Sequence, residues 1–134
     1  MAELEGLIKN LNLKRVLIRP AVHGPERDIC LAGAEVFVLP TLGENFGLTV
    51  LESLMMETPV IATKGAPWSG LQTEGCGWWV EQGVEPLLKA LVEAMSLTSQ
   101  QRHQLGQIGR EWVLRDYAWN LLSFKMVEIY ESAI

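Results

Sequence analysis

The stretch AEVFVLPTLGENFGLTVLE, residues 34–52, decides the fold. Residues 34–39 form a short apolar run that Pro40 stops, so they read as a strand covered on both faces. Residues 41–46 form a loop, with Gly43 and Gly47 near its two ends. Leu48 then opens a helical pattern that runs to Glu57. The same alternation continues outward. PVIAT at residues 59–63, residues 78–80 and VLI at residues 16–18 read as further short strands. Helical spacing occupies residues 3–10, through Leu4, Leu7, Ile8 and Leu11, and then residues 26–33, 84–97, 99–115 and 119–134. Residues 64–77 read as irregular. Thr98 suits an N-cap, and Pro86 falls in a first helical turn, where its missing N–H costs nothing. Helices alternating with about four short, doubly covered strands predict an α/β, Rossmann-like three-layer domain. It has a short parallel sheet with C-terminal helices packed around it.

At 134 residues, 49% apolar and 20% charged, the chain has the size and composition of one domain with a real core, residues 1–134. A net charge of −5 argues against a general nucleic-acid binder, and against a domain held on anionic lipid by charge. No run approaches the roughly 20 apolar residues that span a bilayer. Cys30 and Cys76 lack metal-ligand spacing, and only two histidines accompany them. A structural metal or disulfide framework is therefore not expected, and a reducing cytoplasm is the expected location. Five tryptophans each need a packed site or an interface.

The chemistry lies between the strand at residues 34–39 and the helix that follows. In open α/β sheets, ligands bind beyond the carboxyl ends of the strands. A helix N-terminus there offers unpaired N–H groups to a phosphate, and Gly47 lets the backbone come close to an anion. At about 100° per residue, Glu52 falls between Leu48 and Met56, beside Leu51 and Met55, while Thr49, Ser53 and Glu57 form the polar arc. A carboxylate at the edge of an apolar face calls for a partner, either the helix end or a ligand hydroxyl pair. Glu44, in the loop, is placed to reach the same pocket. Plainer readings stand beside these. Gly47 also fits a turn glycine, Glu44 a solvated loop residue, and Glu52 a side chain whose head reaches water.

The pattern Glu44-x7-Glu52 resembles the nucleotide-sugar site of group 1 retaining glycosyltransferases with the GT-B fold. The likeness extends over Ala34-Glu35-Val36-Phe37-Val38-Leu39-Pro40, Glu44-Asn45-Phe46-Gly47 and Leu51-Glu52-Ser53-Leu54. It continues through Pro59-Val60-Ile61-Ala62-Thr63-Lys64-Gly65-Ala66-Pro67-Trp68, Cys76-Gly77-Trp78-Trp79-Val80 and Asp116-Tyr117-Ala118-Trp119. The Gly-Ala-Pro-Trp and Cys-Gly-Trp-Trp signatures look most like the lipopolysaccharide-type bacterial subgroup. The resemblance implies half of a GT-B fold, the donor-binding domain. Glu44 would be the catalytic-site carboxylate beside the donor sugar. The backbone of Asn45, Phe46, Gly47 and Leu48, with Thr49 in the first helical turn, would hold the sugar and distal phosphate. Glu52 would accept bonds from the ribose hydroxyls. No cofactor or protein-bound metal is implied, and the donor substrate is a nucleotide diphosphate sugar.

The resemblance also implies parts that this sequence does not match. A GT-B enzyme has an acceptor-binding N-terminal domain. It also has an opening strand followed by an Arg and a Lys that clamp the diphosphate. Arg15 and Arg19 do not fit that motif. The chain therefore reads as an N-terminally truncated donor domain, with little transferase activity alone. Its nucleotide binding should be weakened by two missing contacts of about 1.5–3 kcal/mol each. The alternative is an inactive binding or interaction module of the same fold. A receiver domain is disfavoured, since residues 16–18 lead into Arg19-Pro20 and not an acidic cluster. For the whole enzyme, peripheral contact with the inner membrane fits the family. Trp78 and Trp79 are expected to pack, and Trp68 to pack or to line the donor cleft. Trp112 and Trp119 are expected to anchor the last helices, Cys76 to be buried, and His23 and Lys64 to be surface loop residues. Leu122, Met126, Ile129 and Tyr130 would be partly exposed on the last helix, offering a face for homo-oligomers.

Overall fold

The computed structural model describes residues 2–133. Three strands, β1 (Phe37–Leu39), β2 (Val60–Thr63) and β3 (Gly77–Val80), pair in parallel in the order β1-β2-β3. Phe37 lies opposite Val60, and Val60 opposite Gly77. All four residues of β2 are buried, as its unbroken apolar sequence requires for a central strand covered on both faces. Alternation along the strand divides the core. Val60 and Ala62 face one layer with Val50, Leu54, Trp68, Leu71, Cys76 and Trp112. Ile61 faces the other, with Ala90 and Ala94. The helices α3 (Leu48–Met55) and α6 (Ser99–Asp116) form the first layer, and α5 (Val84–Ser96) forms the second. The expected three-layer α/β domain with a short parallel sheet is thus present. The remaining helices are α1 (Ala2–Asn10), α2 (Pro25–Ala32), α4 (Gly70–Thr73) and α7 (Trp119–Ser132).

Local chemistry explains several boundaries. Thr98 caps α6 by a capping box. Its hydroxyl accepts the Gln101 N–H at 3.2 Å, while the Gln101 side chain accepts the Thr98 N–H at 2.8 Å. Pro86 sits in the first turn of α5. Four expectations are corrected. Residues 16–18 form no strand, because no neighbouring ladder receives them and Leu17 is 87% exposed, so the sheet has three strands among the described residues. The segment at residues 64–77 contains the short helix α4. Ser53 is buried rather than part of a polar arc, its hydroxyl donating to the Thr58 carbonyl at 3.2 Å. Trp119 is 80% exposed and anchors nothing, since α7 buries none of its described residues. Trp112 and Cys76 are buried as expected, and Met126, Ile129 and Tyr130 are exposed. The final position of the helical pattern, Ile134, lies outside the described residues.

Candidate functional site

The loop from β1 to α3 runs over the carboxyl end of the sheet and is tied there by the Gln82 amide, which donates to the Leu42 carbonyl at 2.8 Å, and at three further points. The Thr63 hydroxyl, at the end of β2, donates to the Thr41 carbonyl. The Glu44 N–H donates to the Gly65 carbonyl at 2.8 Å. Gly65 permits this because a Cβ there would lie 2.6 Å from the Thr41 carbonyl oxygen. The last tie is Trp68, whose indole N–H donates to the Phe46 carbonyl. Trp68 is 1% exposed, and its ring lies 5.0 Å from Phe46, 5.6 Å from Trp112 and 5.4 Å from Tyr117. An aromatic cluster in the core thus fixes the turn that precedes α3. Burial beside Asp116 pushes the Tyr117 phenol above its ordinary value, so it stays neutral in this cluster.

Gly47 closes the turn as the N-cap of α3, at φ 79° and ψ 62°. This left-handed conformation is the reason for glycine here. An added Cβ would face inward, 3.4 Å from Leu39 and from Trp68, so ligand clearance is not what the residue supplies. No side chain caps α3, and residues 45–49 donate no backbone hydrogen bond among the described residues. No described residue satisfies these amides at the helix start, an arrangement that suits an anion. Asn45, Leu48 and Thr49 are exposed, and Phe46 and Gly47 are half-buried. Glu44 is exposed at the outer side of the same loop. A hollow of about 230 Å³ opens at the start of the loop, lined by Pro40, Thr41, Leu42, Thr63 and Gln82, and Glu44 does not line it.

Glu52 lies one turn further along α3 and has an internal partner that spacing did not disclose. The Arg27 guanidinium, on α2, reaches its carboxylate at 3.0 Å. A signal for Arg27 was present. A cation in the first turn of a helix opposes the helix dipole, so it needs a partner elsewhere. The other missed residue is Gly65, and the anchoring role of Trp68 was only one of two readings. Lys64, a surface loop residue as expected, pairs with Glu81 and lies over the Trp79 ring. His23 is exposed. Among the described residues no group of three or more His, Cys, Asp or Glu is arranged to hold a metal. None of the described helices is long and apolar enough to cross a membrane.

A short parallel sheet, helices on both faces and an uncapped, glycine-led helix start at its carboxyl edge define a Rossmann-like α/β domain. Within that class, the chain belongs to the group 1 glycosyl transferases, whose family profile matches residues 1–112. Its sequence is similar to that of MMP alpha-(1->4)-mannosyltransferase from Mycolicibacterium hassiacum. The two are 29% identical over 97% of this chain and 32% of that protein. The fold matches sucrose-phosphate synthase from Thermosynechococcus elongatus, with a TM-score of 0.81, at 28% identity over 98% of this chain and 34% of that one. It also matches the C-terminal domain of a group 1 family glycosyl transferase from Francisella tularensis. That match has a TM-score of 0.73 at 25% identity, over 88% of this chain and 62% of that one. These are neighbours of the GT-B class. The chain spans about a third of the length of the curated relatives it matches.

Proposed function

We propose that this chain is the donor-binding half of a retaining glycosyltransferase. The enzyme would move a sugar from a nucleotide diphosphate sugar to a glycan or lipid-linked acceptor. One observation carries the reading: among the described residues the amides of residues 45–49 donate no backbone hydrogen bond at the start of α3, in a turn that Trp68 holds from the core. Such a turn can take the negative charge that grows on the departing diphosphate as the bond to the anomeric carbon breaks. Being preformed, it needs no reorganisation at that moment. Glu44 accepts hydrogen bonds from the donor sugar's hydroxyls, and Glu52 from those of the ribose, both as acceptor-only carboxylates. Retention at the anomeric carbon, an acceptor-binding domain and a cationic clamp elsewhere in the whole enzyme follow from the family resemblance. The Gly65–Trp68 and Cys76–Trp79 signatures do not define the acceptor. Trp68 and Cys76 are core residues, and the Trp79 indole N–H is spent on the Ala66 carbonyl at 2.8 Å.

Calorimetric titration with UDP, GDP and ADP tests the reading. One of the three should bind saturably in the millimolar range or tighter, and Glu52→Ala should weaken it about tenfold, the loss of charge-assisted bonds to hydroxyls. No heat from any nucleotide, or a Glu52→Ala variant that binds as well as the parent, would overturn it.

A further inference from the structure

We propose that Arg27 is a second ligand-reading residue of this site, and that Arg27 and Glu52 together recognise a vicinal diol. The proposal rests on the donor-binding reading above. Arg27 Nη1 and Glu52 Oε1 lie 3.0 Å apart, bridging α2 and α3. The pair is only half satisfied. Arg27 Nε and Glu52 Oε2 are both covered, and neither has a hydrogen-bond partner among the described residues. Arg102, the more deeply buried arginine, shows the contrast. Its Nε reaches Glu35 at 2.7 Å, and its Nη1 reaches the Ala94 and Leu97 carbonyls. Among the described residues Arg27 has besides Glu52 only a 3.4 Å contact from Nη2 to Asp28.

An unpaired covered donor or acceptor is costly to leave so. Here one of each lies within a single ion pair, and this selects the ligand. An anion would satisfy the guanidinium N–H but be repelled by Glu52. An amine would satisfy Glu52 but be repelled by Arg27. A neutral alcohol both donates and accepts, and two adjacent hydroxyls serve both heads at once. One hydroxyl donates its proton to Glu52 Oε2, and the oxygen of its neighbour accepts the Arg27 Nε–H. Both side chains keep partial exposure, 37% for Arg27 and 26% for Glu52, which leaves a ligand an approach to the pair. Glu52 stands one turn from the amides of residues 45–49. A diphosphate on those amides would carry its ribose as the diol nearest to the pair.

The test compares UDP, GDP and ADP with their 2′-deoxy counterparts on the full chain and on Arg27→Gln and Arg27→Lys. The parent should favour the ribonucleotide by about tenfold or more, the discrimination of a charge-assisted bond to one hydroxyl. Each variant should lower that ratio by about threefold or more, Glu52 keeping its own share of the preference, while changing the 2′-deoxy affinity little. Two variants are used because one may be poorly folded, and a thermal midpoint is read for each. If both nucleotides weaken by the same factor, Arg27 is merely structural and the proposal fails. An unchanged ratio, or a parent without ribose preference, overturns it as well. A parent that binds no nucleoside diphosphate at all overturns the donor-site reading, and this proposal with it.

Discussion

Cys76 and Cys30 are both free, but Cys76 is fully buried and Cys30 is exposed. Burial, aided by the nearby Glu74 carboxylate, pushes the Cys76 thiol from 9.0 up to about 12. A thiol reagent at neutral pH should therefore label one cysteine in the folded chain and two in denaturant. Rapid labelling of both without denaturant would contradict the burial. The inertness of Cys76 was legible in the sequence, which places no histidine near it. The position of Glu52 was legible too, as a charge set among apolar neighbours. Its pairing with Arg27 was not, because the partner lies 25 residues earlier on another helix and meets it only through packing of α2 on α3.

The unit of β1, loop and α3 is where element-scale sequence signals agree. A short apolar run ended by Pro40, a glycine-bounded loop and an apolar helical pattern gave its order directly. What holds the loop in place is non-local. Trp68 lies 22 residues beyond Phe46, and nothing in the spacing ties its indole to that carbonyl. Trp68→Phe should keep much of the aromatic packing but leave the Phe46 carbonyl unpaired, lowering stability by about 1–3 kcal/mol in a denaturant titration. Gly47→Ala should cost about 1–2 kcal/mol through backbone strain alone, because the added methyl makes only ordinary contacts. A Gly47→Ala chain as stable as the parent would show that the left-handed turn is not required. The VLI run at residues 16–18 misled for a related reason. An apolar triplet with two β-branched residues becomes a strand only if a neighbour completes its ladder, and Pro20 follows without one.

At the scale of the molecule, burial is uneven. The sheet, α3, α5 and α6 share the core, while α1 and α7 bury none of their described residues. Periodicity identified α7 as a helix but could not say what its apolar face would meet. That depends on contacts outside the segment, and Trp119 is consequently exposed. The core also sets a pH dependence. A thiol raised by burial contributes stability that is full below its unfolded value of 9.0 and is lost as pH rises toward about 12. Unfolding free energy should therefore fall across that alkaline window, and Cys76→Ala should flatten the fall. An equal slope in both proteins would mean that the thiol does not report on the core.

The central claim is that the amides at the start of α3 form a diphosphate site. The most direct measurement is an amide NMR titration of the full chain with a nucleoside diphosphate, mapped residue by residue. Saturable shifts at residues 46–49, lost in Glu52→Ala at the same nucleotide concentration, are the expected result. Shifts confined to other surfaces, or none up to millimolar nucleotide, would contradict it.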